Sequence, residues 1–254
     1  GYLSSKQSLY GIRALGLEGA TPPLEDIAQM AQRYIKAIRR DYPEGDLLLG
    51  GWSMGGLVAY EMAHQLATQN DSSVQGLILV DSPTAIPEQN DPVMDFVVFA
   101  RGLGFAQAYV SPMADQLQQY PNRLEDLLRQ LLQDGQRQRL LPNGFSLRSL
   151  QRLHRVISAH SLALSQYNIA AYPGNLPTLL IEAKNKPAGK ESLSSEQVSP
   201  SWQQIVGAGL QARELPGDHY SIVNEPQVAA LAQQINLFLA RTVDLSEPNP
   251  TGPN

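Results

Sequence analysis

Between Gly50 and Gly56 an apolar run meets an amphipathic one across a single serine, and no other stretch limits the possible folds so strongly. Asp46-Leu47-Leu48-Leu49-Gly50 reads as a strand and Gly51-Trp52-Ser53-Met54-Gly55 as a sharp turn. The run from Gly56 to Leu66 reads as a helix, with Leu57, Tyr60, Ala63 and, at the margin, His64 on one face. A serine squeezed between a strand and a helix must take a strained backbone. The residues two before and two after it must then be glycine so that neighbouring main chain can approach, and the hydroxyl is pushed clear of the sheet. The first amides of the helix, that of Met54 foremost, lie where they stabilise developing negative charge. This is the pattern of a nucleophile elbow.

A serine hydroxyl needs a base, and the chain has only four histidines, His64, His154, His160 and His219. His64 lies about three turns along the elbow helix from Ser53 and points away from it. His154 and His160 fall in a long helical stretch rich in Arg, Leu and Ser, where packing or solvation accounts for them. His219 follows the alternating segment Leu210 to Leu215 and the turn Pro216-Gly217-Asp218, and it precedes a helix opened by Pro226. A loop histidine late in the chain fits the order serine, acid, histidine of an α/β-hydrolase. Two carboxylates compete for the acid: Asp81 at the end of Gly76 to Val80, and Glu182 at the end of Leu176 to Ile181. The commonest hydrolase order favours Glu182, yet either carboxylate can hold the Nδ1 proton of His219. Asp218 is a poorer choice and suits a turn.

The run Gly50-Gly51-Trp52-Ser53-Met54-Gly55-Gly56-Leu57-Val58-Ala59-Tyr60-Glu61-Met62-Ala63 resembles the nucleophile region of type I thioesterase domains, which end nonribosomal peptide and polyketide synthases. Leu9-Tyr10-Gly11-Ile12, Val80-Asp81-Ser82, Ala171-Tyr172-Pro173-Gly174 and Pro216-Gly217-Asp218-His219-Tyr220 extend the resemblance from Leu9 to Ala240. It implies an α/β-hydrolase fold with a mostly parallel sheet, helices on both faces and a helical lid. It also implies a Ser53, Asp81 and His219 triad, so that the resemblance, and not the residues alone, selects Asp81 over Glu182. The implied substrate is a peptidyl or polyketide thioester on the phosphopantetheine arm of an acyl or peptidyl carrier domain, expected upstream in the same polypeptide. The cofactor would belong to that carrier, and this chain would bind none. Members of the family begin with a strand and an oxyanion loop that this sequence lacks ahead of Gly1, which implies an incomplete chain with Met54 as the one visible oxyanion donor. The rival expectations are a free-standing esterase or type II editing thioesterase, and a degenerate carrier-binding domain without turnover.

The remaining features fit one α/β-hydrolase domain over residues 1–241. Of 254 residues, 43% are hydrophobic and 17% charged, a globular balance. The net charge of −5 argues against nucleic acid as a partner. With no cysteine, disulfides and thiolate metal sites are excluded, and the histidines do not cluster at ligand spacing, so no metal is expected. No apolar run is long enough for a membrane span, which makes a cytoplasmic protein the expectation. Leu9 to Arg13 reads as a first strand, and Pro22-Pro23 opens a helix through Arg40. From Pro83 to Tyr167 no strand is legible; helical runs at Val93 to Phe105, Leu124 to Gln133 and Leu147 to Tyr167 are broken by Pro112, Pro121 and Pro142. Such an insertion, residues 83–167, is how hydrolases build a lid. Its Arg123, Arg129, Arg137, Arg139, Arg148, Arg152 and Arg155 form either a docking face for an acidic carrier or a solvated surface. Met94, Phe96, Phe99, Phe105 and Tyr109 either line an acyl channel or pack the lid. Lys184 to Ser201 reads as a polar loop, and 242–254 as a disordered tail.

Overall fold

The computed structural model describes residues 2–3, 8–84, 91–185 and 195–242, with the main chain alone over 195–200. Two compact units emerge, one from Gly1–Gly11, Ala28–Ala85 and Asn168–Asn254, the other from Ile12–Ile27 and Ile86–Tyr167.

The first unit is a parallel sheet with helices on both faces. Strands β1 (Leu47–Trp52), β2 (Val74–Val80), β3 (Thr178–Ala183) and β4 (Leu210–Leu215) lie side by side in chain order. All neighbouring pairs are parallel, so every strand delivers its carboxyl end to the same edge. The near-continuous apolar runs of β2 and β3 are what strands covered on both faces require. Gly76 and Val80 of β2, with Leu179, Ile181 and Ala183 of β3, face α8 (Gln227–Thr242) through Leu231 and Phe238. On the opposite face Leu79 lies beside Gly56 of α2 (Met54–Thr68), and Trp202 of α7 (Ser195–Val206) meets Tyr60 of α2 edge-on at 5.5 Å. Tyr60 also donates its hydroxyl to Ala170 O at 2.5 Å, and burial raises its pKa. Helix α1 (Ile27–Asp41) is tied to α2 by the Gln65 amide, which donates to Ala28 O at 3.0 Å.

Several expectations change here. Leu9 to Arg13 forms no strand; Leu9 and Tyr10 are exposed, and Tyr10 instead pairs its ring and hydroxyl with Tyr42. A short apolar segment becomes a strand only where a ladder accepts it, and this one has none. The helix expected from Pro22 begins at Ile27, leaving both prolines outside it. The polar stretch expected to be loop as far as Ser201 is helical from Ser195, because Trp202 and Val206, one turn apart, are both fully buried and anchor it. Residues 186–194 of that stretch and 243–254 of the expected tail lie outside the described residues.

The second unit holds helices and irregular segments, and no strand among its described residues. Helix α3 (Pro92–Gly102) starts at a proline, and Asp91 caps it by accepting from Val93 N at 2.9 Å. Then come α4 (Gln107–Gln119), a short 3₁₀ turn at Pro121–Arg123, α5 (Leu124–Arg137) and α6 (Leu147–Ser165). Ser146 caps α6 by accepting from Ser149 N at 3.1 Å. Pro112 does not break the chain as expected but sits inside α4. The ring removes one backbone hydrogen bond, while Val110, Met113, Ala114 and Leu117, at spacings of three and four, bury a continuous stripe that holds the helix. The unit also takes in Ile12–Ile27, beyond the 83–167 limits read from the sequence.

Phe96, Phe99 and Phe105 are fully buried in the core of this unit with Leu127, Leu131 and Leu150. They pack rather than line a channel. Arg123, Arg129 and Arg137 are engaged by Asp126, Glu125 and Asp134, and exposed pairs of this kind add little stability. Truncating Phe99 or Phe105 to alanine should therefore lower unfolding stability by about 3–5 kcal/mol. Urea titration followed by circular dichroism measures it; an unchanged midpoint would return both residues to a channel wall.

Candidate active site

Ser53 stands directly between the last residue of β1 and the first of α2. Its backbone has φ 55° and ψ −130°, a conformation that side chains resist. The main chain holds it there from two sides: Ser53 N donates to Val80 O at 2.8 Å, and Gly56 N donates to Ser53 O at 3.0 Å. As the first residue of α2, Met54 carries an amide with no acceptor within the helix, the group expected to meet an oxyanion.

The glycine requirement is only half as the sequence suggested. A Cβ on Gly51 would collide with the carbonyl of Gly55, so the position two before the serine does need glycine. Gly55, two after it, would meet nothing within 4 Å. The close approach falls on Gly56 instead, where a Cβ would run into the buried Ser82 hydroxyl and come within 3.1 Å of Leu79. Tight helix-to-sheet packing, one residue later than expected, sets that demand.

Asp81 follows β2 as Ser53 follows β1. It too has a positive φ, 47°, and its N–H donates to Ile181 O at 2.6 Å, carrying the ladder one residue past the strand. Its carboxylate divides its two oxygens. Oδ1 accepts from Ala183 N at 2.9 Å, and Oδ2 lies 2.7 Å from His219 Nδ1. The Asp81 side chain is 8% exposed and the imidazole 28%, so the carboxylate is shielded while the ring reaches solvent. His219 sits on the loop after β4. That loop is shaped by Asp218, whose Oδ1 accepts from Tyr220 N at 3.0 Å and Ser221 N at 2.8 Å, the turn-forming role expected of it.

The other candidates lie within β3 and within helices. Glu182 is buried inside β3, not beyond its end, with Glu214 as its Cα neighbour in β4. His64 remains in α2 beside Tyr60, ring centroids 6.2 Å apart. His154 and His160 both lie in α6, and desolvation holds each below the ordinary histidine pKa; His154 packs edge-on to Phe99 at 5.1 Å. Among the described residues no group of His, Asp and Glu is placed to hold a metal ion, and no helix is long and apolar enough to cross a membrane.

Two groups near the pair were not singled out from the sequence. Trp52 donates its indole N–H to His219 O at 2.9 Å, and Trp202 donates to Ser82 O, also at 2.9 Å. Both tryptophans thus hold carbonyls of, or next to, the residues that form the histidine-carboxylate pair. Nothing in a local pattern signals bonds between such distant positions.

A parallel sheet that presents a strained serine elbow, an aspartate and a histidine beyond the ends of different strands defines an α/β-hydrolase. Within that class the chain belongs to the Thioesterase domain family, whose profile it matches over residues 1–239. It is 28% identical over 243 residues to the probable thioesterase gloN of Glarea lozoyensis, covering 90% of this chain and 80% of that one. It is 43% identical over 79 residues to the polyketide synthase PksR of Bacillus subtilis, a match to 31% of this chain and 3% of the synthase. Its fold superposes on a crystal structure of the four-domain nonribosomal peptide synthetase AB3403 with a TM-score of 0.72 at 28% identity, over 89% of this chain and 17% of the synthetase. The Vlm2 thioesterase domain, in a structure bound with a dodecadepsipeptide, superposes with a TM-score of 0.67 at 22% identity over 93% of this chain and 86% of that one. The chain thus spans most of gloN but only a small part of the synthases and synthetase it resembles.

The elbow packing gives a direct contrast. Gly51→Ala and Gly56→Ala should each lower unfolding stability by about 2 kcal/mol or more, the former the more severely because its collision is with main chain. Gly55→Ala should stay within about 0.5 kcal/mol of the parent. Thermal and urea unfolding of the three variants decide it, and equal losses at all three would refute the reassignment from Gly55 to Gly56.

Proposed function

We propose that this domain releases a peptidyl or polyketide chain from the phosphopantetheine thioester of a carrier domain, using Ser53 as nucleophile, His219 as base and Asp81 as its orienting acid. The observation that carries the reading is the 2.7 Å approach of Asp81 Oδ2 to His219 Nδ1, on loops past the same sheet edge at which the strained Ser53 elbow stands. Membership of the thioesterase family and the likeness to synthase-borne domains supply the substrate class.

Asp81 takes the Nδ1 proton in a hydrogen bond, which leaves Nε2 as the acceptor for the Ser53 hydroxyl proton. Ser53 Oγ then bonds to the thioester carbonyl carbon, and the carbonyl oxygen becomes an oxyanion met by the Met54 amide. Collapse breaks the carbon–sulfur bond; the pantetheine thiol leaves with the proton held by His219, and an ester on Ser53 remains. Water, or a hydroxyl or amine of the acyl chain itself, repeats the sequence in reverse and frees a carboxylic acid or a ring. The phosphopantetheine is the carrier's, and this chain contributes no cofactor. We place the reaction in the cytoplasm, where such carriers are loaded, with the helical unit between β2 and β3 as the part that selects the acyl chain.

Ser53→Ala should form no acyl-enzyme on incubation with an acyl thioester, as read by intact mass, while keeping the parent's unfolding midpoint. Labelling of the parent by a fluorophosphonate separates this reading from a domain that binds carriers without turnover. Asp81→Asn should cut turnover about 10⁴-fold, and Glu182→Gln far less. The opposite ranking would transfer the acid to Glu182.

A further inference from the structure

We infer that Trp52, the residue before the proposed nucleophile, is a positioning residue that holds His219 in its working geometry, an assignment that rests on the triad proposed above. Main-chain bonds hold the loop on either side of His219, Asn185 N donating to Gly217 O at 2.9 Å and Ile222 N to Asp218 O at 3.0 Å, but they do not fix the tilt of the imidazole. Asp81 alone holds one ring nitrogen, and a ring held at one atom can still tilt about that bond. Trp52 supplies two further restraints. Its indole N–H donates to the main-chain carbonyl of His219 at 2.9 Å, and its ring lies 5.0 Å from the imidazole at an interplanar angle of 33°. Tyr220 closes the group, its ring edge-on to both, 5.2 Å from His219 and 6.2 Å from Trp52.

The position of Trp52 in the chain gives this contact its consequence. Trp52 is the final residue of β1 and covalently adjacent to Ser53. A hydrogen bond from Trp52 to the His219 carbonyl therefore ties the base to the main chain of the nucleophile, and any shift of one loop is carried to the other. A near-attack geometry tolerates only small displacements, so such a tie acts on rate rather than on substrate affinity. The ring adds an electrostatic share. When the imidazole accepts the serine proton it becomes a cation against an indole face, a favourable arrangement only while the charge exists.

Trp202 makes the matching contact on the acid side, through Ser82 O, but it is fully buried in the sheet packing, so its replacement reads mainly on stability. Trp52 is the cleaner probe because it is half-buried.

The experiment compares Trp52→Phe, which keeps a ring and loses the donor, with Trp52→Leu, which loses both. Hydrolysis of a short-chain acyl N-acetylcysteamine thioester gives kcat and KM, and thermal unfolding accompanies each variant. Trp52→Phe should lower kcat roughly tenfold, the effect of one lost hydrogen bond, with KM within about twofold, and Trp52→Leu should lower kcat a further two- to fivefold. The decisive measurement is the same pair in a His219→Ala background. If Trp52 acts through His219, its replacement there should leave the residual rate of fluorophosphonate labelling unchanged. A loss of equal factor in both backgrounds, or a parent-like kcat in Trp52→Phe, would overturn the positioning role. Failure of the triad is separately visible, since His219→Ala would then label as fast as the parent whatever stands at position 52.

Discussion

Two backbone hydrogen bonds govern the site: Ser53 N to Val80 O, and Asp81 N to Ile181 O. Each extends a parallel ladder one residue past the end of its strand, so that the serine and the aspartate occupy equivalent stations on neighbouring strands. Each of those residues then turns away through a positive φ, 55° and 47°. Conformations of this kind cost about 1–3 kcal/mol apiece and persist only where the surroundings over-determine them. The surroundings here are the collisions that any side chain at Gly51 or Gly56 would meet, together with the buried Ser82 beneath α2. Backbone strain and tight packing are therefore one device, which aims two side chains beyond the sheet edge and leaves β4 to supply the loop of the third.

The sequence discloses this arrangement unevenly, and the reason is locality. All four strands and helices α2 and α8 are legible because the periods of apolar residues survive in short windows. Ser53 and His219 are legible because the elbow is a contiguous motif and because the other histidines fall in helical runs. The choice of Asp81 rests on resemblance and not on residue physics, since hydrophobic pattern places a carboxylate at the end of either strand equally well. What local pattern loses is whatever tertiary packing decides. Helix α4 runs through Pro112 because its buried stripe outweighs one missing hydrogen bond, and α7 forms because Trp202 and Val206 have somewhere to go. Leu9 to Arg13 shows the converse, a strand-like segment that finds no ladder. The Trp52 bond to His219 spans 167 residues of sequence, and no window contains both ends.

The helical unit follows a different logic from the sheet. Its aromatic residues, which invite a reading as an acyl channel, are spent on its own core, with Phe96, Phe99 and Phe105 fully buried. Tyr109 stacks on Phe105 at 5.0 Å and turns its hydroxyl to Asp134, and desolvation, with that hydrogen bond second, pushes its pKa up to about 12. A unit that packs its aromatics inward carries its own hydrophobic cluster.

Why an aspartate after β2, and not the glutamate in β3, meets His219 follows from where side chains leave a sheet. Within a strand they project alternately to the two faces, so Glu182, in step with Thr178 and Leu180, projects from a face and not from the end. The histidine, arriving on a loop past β4, needs a partner beyond the edge, and only a residue that has left its strand can be there. Strand β3 still contributes, through its main chain. The amide of Ala183, its last residue, donates to Asp81 Oδ1 at 2.9 Å, which pins the carboxylate plane and turns Oδ2 toward His219. A carboxylate fixed at one oxygen by backbone cannot follow a wandering imidazole. The imidazole must therefore be brought to it, and the bond from Trp52 to the His219 carbonyl is the restraint placed to do so.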